Sequence, residues 1–183
     1  MTPFHTAYGS VPGLHHRTAW RNNQDGVTVV RRNGIISACV TDGCGSCPSS
    51  EVGARLFAQF LAEVAWCVQT PPTAWDFARA VDNAAQDAID CLRLETDARP
   101  FASTVNDFFL FTVLGAVITK DEAVVYGCGD GVFEVNGERT VLVPGAENEP
   151  AYIAYDAIRA SLARDPGPVE IRVHRRLPTA DLR

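Results

Sequence analysis

Gly26-Val-Thr-Val-Val-Arg-Arg32, Asn33-Gly34, Ile35-Ile-Ser-Ala-Cys-Val-Thr41 is the stretch that decides the fold. Asn-Gly between two β-branched runs predicts a hairpin closed by a two-residue type I′ turn. With Asn33 and Gly34 as the turn, Arg32 pairs with Ile35, Val29 with Ala38 and Val27 with Val40. The same register carries Asp25 opposite Asp42 at the open end. Directly opposed residues share a face with Cβ atoms roughly 4.5–5.5 Å apart, so two carboxylates meet there beside Val27, Val29, Ala38 and Val40. Three arrangements satisfy such a pair: two solvated aspartates at a frayed mouth, a dyad sharing one proton, or a cation between them. Hard oxygen donors of this kind suit Mg²⁺ or Mn²⁺ rather than zinc.

Outward from the hairpin, Ser49-Ser50-Glu51 opens a helix. Its stripe runs Val52, Leu56, Phe57, Phe60, Leu61, Val64 and Val68, and Pro71-Pro72 ends it. Thr73 caps a second helix carrying Phe77, Val81, Ala84, Ala88, Ile89 and Leu92. Strands are expected at Phe108–Ile118, Ala123–Cys128, Val132–Val135, Thr140–Val143 and Val169–Val173, with a turn at Asn136-Gly137 and a short helix over Tyr152–Ala163. This order lacks the βαβ alternation of a parallel sheet. It reads as α+β, two layers of largely antiparallel sheet sandwiched between helices.

The chain has 183 residues, a net charge of −6 and 46% hydrophobic residues, which bounds it to about one globular domain. Its acidic balance and single lysine offer no basic face to nucleic acid. No apolar run approaches the ~20 residues of a membrane span, and the first residues carry no secretory pattern, so a cytoplasmic setting is expected. Of six cysteines, Cys44 and Cys47 form a C-x-x-C, readable as a redox pair or half a zinc site. No second pair completes the zinc site, and small apolar cysteines are the simpler reading. A second acidic loop, Gly127-Cys128-Gly129-Asp130-Gly131, surrounds one aspartate with glycines, as a tight turn or as backbone pressed close to a neighbour.

Taken in order, these residues resemble the metal-dependent protein phosphatases of the protein phosphatase 2C family, in the variant with a G-x-x-H…Q-D first motif. That motif is Gly13-Leu14-His15-His16 with Asn23-Gln24-Asp25. The second, D-G-x-G-S…S-E-x-G-A, is Asp42-Gly43-Cys44-Gly45-Ser46 with Ser50-Glu51-Val52-Gly53-Ala54. The third is Gly129-Asp130-Gly131, and Glu147-Asn148-Glu149-Pro150 is similar to a later stretch of the family.

The resemblance implies an αββα sandwich over residues 1–183, with two Mn²⁺ or Mg²⁺ ions between the sheets. A metal-activated water would attack phosphoserine or phosphothreonine of a protein substrate, without a covalent intermediate. It implies Asp42 as bridging ligand, the Gly43 carbonyl as a further one, Asp25 near metal-bound waters and Asp130 at a looser site. His16 is implied beside Asp25 or the phosphate. Trp20 stands where other branches place a phosphate-gripping arginine, which leaves Arg21 or Arg17 to substitute. Cys44 stands where many relatives have a histidine acid. The family continues into a T-D-G strand and a final aspartate, whereas this sequence stops at Arg183. A fragment, a partner pairing at an open sheet edge, or a non-catalytic module that binds a protein or phosphoprotein would each account for that. The basic residues Arg172, Arg175, Arg176 and Arg183 read as a solvated strand face or an interaction surface.

Overall fold

A computed structural model describes residues 4–68, 73–94, 100–145 and 149–183. The elements in order are α1 (Leu14–Thr18), β1 (Gly26–Arg32), β2 (Ile35–Gly43), α2 (Glu51–Val68), α3 (Ala74–Leu94), α4 (Phe101–Phe108), β3 (Phe111–Ile118), β4 (Glu122–Cys128), β5 (Gly131–Val135), β6 (Glu138–Leu142), α5 (Tyr155–Ile158) and β7 (Arg172–Pro178). Asn33 and Gly34 take φ of 51° and 76°, as a type I′ turn needs, and the ladder runs Arg32↔Ile35, Val29↔Ala38, Val27↔Val40. Asn136 and Gly137 do the same between β5 and β6, with φ of 55° and 83°.

All pairings are antiparallel: a five-stranded sheet ordered β1-β2-β3-β4-β7, and the two-stranded sheet β5-β6. α2 packs on β1 and β2, and α3 on β7, so the helices cover one face of the larger sheet. The other face carries Ala38, Val40, Leu114 and Ala116. Together with Phe133 and Val135 of the small sheet they line an apolar groove of about 400 Å³. The α+β class with antiparallel sheets and flanking helices therefore holds, the second sheet being a single hairpin among the described residues.

Helix α2 corrects the expected stripe. Val52 and Leu56 are half exposed, while Gly53, Ala54, Phe57, Ala58, Leu61, Ala62 and Ala65 are buried. Small residues bring the helix backbone down onto the sheet, close enough for the Thr41 hydroxyl to donate to the Ala54 carbonyl at 2.7 Å. Thr73 caps α3 as expected, its Oγ1 accepting from the Asp76 amide at 3.0 Å. Residues 69–72, and with them Pro71-Pro72, lie outside the described residues.

Three further boundaries shift. Phe101–Phe108 forms α4, so the strand begins at Phe111 and not at Phe108. The helix expected over Tyr152–Ala163 shrinks to α5 and one 3₁₀ turn. Val169 and Ile171 are buried in the core ahead of β7, which begins at Arg172. On β7 the basic residues are paired: Arg175 with Glu138 at 3.0 Å, Arg172 with Glu170 at 2.8 Å, and Arg176 with Glu122. None of the described helices is long and apolar enough to cross a membrane.

Phe57, 1% exposed, stacks against Phe60, Phe109 and Phe111 and joins α2 to α4 and β3. Phe57→Ala should lower unfolding free energy by about 3–5 kcal/mol in urea titrations. Leu56→Ala, one residue away on the exposed side, should stay within about 0.5 kcal/mol.

Candidate active site

The predicted acidic residues converge at one end of the larger sheet, on its open face. β2 pairs Asp42 with Thr112 of β3, and Asp25 immediately precedes Gly26, the partner of Thr41. Asp25, Asp42 and Thr112 thus stand in a row across β1, β2 and β3. Gly129 completes the row. A Cβ on it would fall 2.7 Å from Thr112 Cγ2, and its φ is +99°, so the glycine both fits the approach and turns the chain to present Asp130. Close backbone approach, one of the two readings of this glycine-rich loop, is what the structure contains.

Asp42 feels the crowding. Its carboxyl is pushed up to about 6, first by burial, then by the charge of Asp25 and a hydrogen bond with it, with Asp130 and Cys44 adding to the push. Among the described residues none of these three carboxylates has a cationic partner. Asp25 is steadied instead by the Ser10 hydroxyl, which donates to Oδ2 at 3.1 Å, and Ser10 in turn accepts from Asn23 Nδ2 at 2.7 Å.

The turn after Gly43 is held from below. Cys47 N donates to Cys44 O at 3.0 Å, and Cys44 N to Leu110 O at 2.9 Å. Arg21 donates to the carbonyls of Gly45 at 2.7 Å and Cys47 at 3.1 Å. Buried Gln24 donates to Cys47 O at 3.0 Å and to Ser50 Oγ at 2.9 Å, and Ser50 Oγ donates to Cys44 O at 3.0 Å. Gly43 leaves no room for a side chain, since a Cβ would lie 2.4 Å from the Gln24 carbonyl. Arg21, expected toward phosphate, therefore has its guanidinium on backbone carbonyls, while Arg17 is exposed on α1. His16 Nδ1 lies 3.0 Å from Asn22 O, which as an acceptor assigns the proton to Nδ1. Its Nε2 faces the turn, 3.9 Å from where a Gly45 Cβ would stand.

Ser10, Asn23, Gln24 and Ser50 were not singled out as site residues. Asn23, Gln24 and Ser50 stand in the motif stretches, which was a usable signal for them; Ser10 depends on a contact between segments distant in sequence. Cys44 and Cys47 are both free. Cys44 is pulled down by hydrogen bonding from Cys47 and then from Ser46 and Tyr152, and the same contact pushes Cys47 up. Residues 146–148, and so Glu147 and Asn148, lie outside the described residues. Glu149 accepts from the Tyr155 hydroxyl at 2.5 Å and pairs with Arg164.

The acidic row tests well for a hard divalent ion. Its donors are carboxylate and carbonyl oxygens, and their charge is unneutralised. Yet among the described residues no three His, Cys, Asp or Glu side chains are close enough to share one metal. The set suits an ion that keeps most of its waters, held by two carboxylates and a carbonyl.

Comparison with curated proteins finds no match by sequence. Among solved structures, serine/threonine phosphatase Stp1 from Staphylococcus aureus matches at 11% identity and TM-score 0.46, over 95% of this chain and 76% of that one. A bacterial serine phosphatase matches at 10% and 0.45, over 84% of this chain and 62% of that one. The catalytic domain of the serine threonine protein phosphatase PstP, solved in complex with 2 manganese ions, matches at 11% and 0.34, over 86% and 64%. The chain thus spans somewhat under two thirds of the length of several structures it matches. A protein-family model described as Protein phosphatase 2C matches residues 12–165, which is most of the sequence and includes every motif residue from Gly13 to Pro150. The chain belongs to the protein phosphatase 2C family.

Proposed function

We propose that the chain is a divalent-metal-dependent phosphatase acting on phosphoserine or phosphothreonine in proteins. The observation that carries this reading is the Asp25–Asp42 pair, brought together by the hairpin register with no side-chain cation among the described residues to offset it. Asp25, Asp42 and the Gly43 carbonyl would hold Mn²⁺ or Mg²⁺, with Asp130 available to a second, looser ion. Bound there, such an ion acidifies a coordinated water and neutralises phosphoryl oxygens.

The protein's own groups do the rest. Asp25, its position set by Ser10, accepts a hydrogen bond from the attacking water and aligns it. Arg21, Gln24 and Ser50 fix the turn so that the Gly43 carbonyl keeps its direction. Arg17 is the arginine open to the substrate phosphate. His16 directs its Nε2 toward the turn, placed to exchange a proton near the leaving oxygen. The small number of convergent side-chain ligands favours one second reading, a phosphoprotein-binding module without turnover.

Phosphate release from p-nitrophenyl phosphate and a phosphothreonine peptide separates the two. Turnover should require Mn²⁺ or Mg²⁺, stop on chelation, and fall at least about a hundredfold in Asp42→Asn, the scale of losing a group that stabilises transition-state charge. Binding of the phosphopeptide without hydrolysis under every metal condition would select the module.

The metal-free protein carries a matching pH signature. Folding raises the Asp42 pKa above its unfolded value, so the carboxyl burdens the fold least below about pH 4, and stability is lost as pH rises through about 6. Asp42→Asn in chelator should therefore be more stable than wild type at pH 7.5 by about 1 kcal/mol, solvent screening having reduced the full effect. The gap should close near pH 4 in urea titrations. Adding Mn²⁺ should raise the melting temperature of wild type and leave Asp42→Asn unmoved.

A further inference from the structure

Among the described residues three non-glycines have a left-handed backbone: Asn33 and Asn136, each in an Asn-Gly hairpin turn, and Trp20. Asparagine tolerates this region, whereas a bulky aromatic in it is an outlier of the kind that clusters at functional sites. Trp20 has φ +54° and is 96% exposed, so no burial of its ring repays the strain. Its neighbours fix its direction. The Trp20 amide donates to Arg17 O at 3.4 Å, the Arg21 amide to His16 O at 2.8 Å, and the Arg21 side chain is bolted to the turn that follows Gly43. The indole is thereby held out beside the candidate active site, at a small pocket of about 230 Å³ lined also by Arg21, Asn22, Gln24, Pro48 and Glu51.

The other two tryptophans show what this ring lacks. Arg32 lies over Trp66 at 5.7 Å and Arg79 over Trp75 at 4.4 Å. Among the described residues no cation sits over Trp20. Glu51 adds a carboxylate at the same pocket, one oxygen of which accepts from Asn22 at 2.9 Å. The chain's net charge of −6 favours basic partners on approach.

We propose that Trp20 is a specificity-determining residue that seats an arginine or lysine of the substrate peptide, near the phosphorylated residue, over its indole with Glu51 as counter-ion. This deepens the phosphatase reading and rests on it. Hydrolysis of a substrate lacking a peptide flank does not touch Trp20, whereas selection among phosphopeptides does.

The test uses the full chain as wild type, Trp20→Ala, Trp20→Gly and Trp20→Phe. Fluorescence anisotropy with labelled phosphoserine peptides, identical except for Arg, Ala or Glu beside the phosphoserine, is read in chelator, where no turnover is needed. Wild type should bind the Arg peptide about five- to tenfold more tightly than the Ala peptide, the effect of one cation–π contact, and the Glu peptide least. Trp20→Ala and Trp20→Gly should lose the preference, and Trp20→Phe should keep part of it. Trp20→Gly should also melt above Trp20→Ala, because glycine relieves the left-handed strain, which shows that the lost preference is not unfolding. In Mn²⁺, p-nitrophenyl phosphate turnover should be the same in all four proteins, while the KM for the Arg peptide rises in the Ala and Gly variants with kcat unchanged. Equal affinity for the three peptides in wild type, or an Arg preference that survives Trp20→Ala, overturns the proposal. No turnover of p-nitrophenyl phosphate alongside an intact Trp20-dependent Arg preference overturns the phosphatase reading and leaves the docking site standing.

Discussion

Two carboxylates that repel each other are held side by side by a turn with no freedom to separate them. Asn33 and Gly34 admit one hairpin register, and that register puts Asp25 against Asp42. Side chains alternate faces along a strand, so a slip of one residue would exchange the faces of every β2 side chain. Asp42 would then point under α2, and Thr41, which donates to the Ala54 carbonyl, would point to the open face. The packing of Cys39 and Thr41 beneath the helix therefore holds the charge pair in place as firmly as the turn does. The position of the acidic row is a consequence of how the opposite face packs.

The segment after Gly43 is stabilised by different means. It has no regular structure of its own, and its carbonyls would be costly to leave unmet. Arg21, Gln24 and Ser50 reach it from two other parts of the chain and satisfy Cys44, Gly45 and Cys47. Gln24 does this while its own Oε1 stays buried without a partner among the described residues, a cost offset by its amide serving two acceptors. Arg21 is diverted from solvent in the same cause, and its anchoring in turn sets the direction of Trp20. Turn, arginine, glutamine and serine form one mechanical unit that bears on the Gly43 carbonyl, and Trp20 projects from its edge without a bond into it.

What was legible in the sequence divides along physical lines. Local chemistry that acts over two to four residues was readable: the Asn-Gly turns, the Thr73 cap, and the register that joins Asp25 to Asp42. The motif order was enough to point to the family, which the match over residues 12–165 bears out. Periodicity found Phe57 and Leu61 of α2 but misplaced the rest of its buried face, which is glycine and alanine that a search for large apolar residues passes over, leaving Val52 and Leu56 half exposed. Phe101–Phe108 carries too short a pattern to separate from the strand that follows. The support of Asp25 by Ser10, and of the turn by Gln24 and Ser50, pairs residues far apart in the chain, and no local signal encodes such pairs. Arg21 shows the same limit: its type suggested phosphate, and only the fold reveals that carbonyls had already claimed it.

The charge at Asp42 and the apolar face beside it belong to one balance. Asp42 ends a row that begins with Ala38 and half-exposed Val40, and the groove they line continues through Leu114 to Phe133 and Val135 of the small sheet. Removing water from that face gains hydrophobic free energy for Val40 and Leu114, and at the same time raises the cost of a negative charge at Asp42. A divalent ion reverses the second effect, because its attraction to the carboxylates strengthens as the local dielectric falls. If the proposed ion binds there, covering of the apolar face and retention of the cation would favour each other. On that reading each alone is limited, the face by the buried charge and the ion by the scarcity of side-chain ligands among the described residues, and the two together would relieve both.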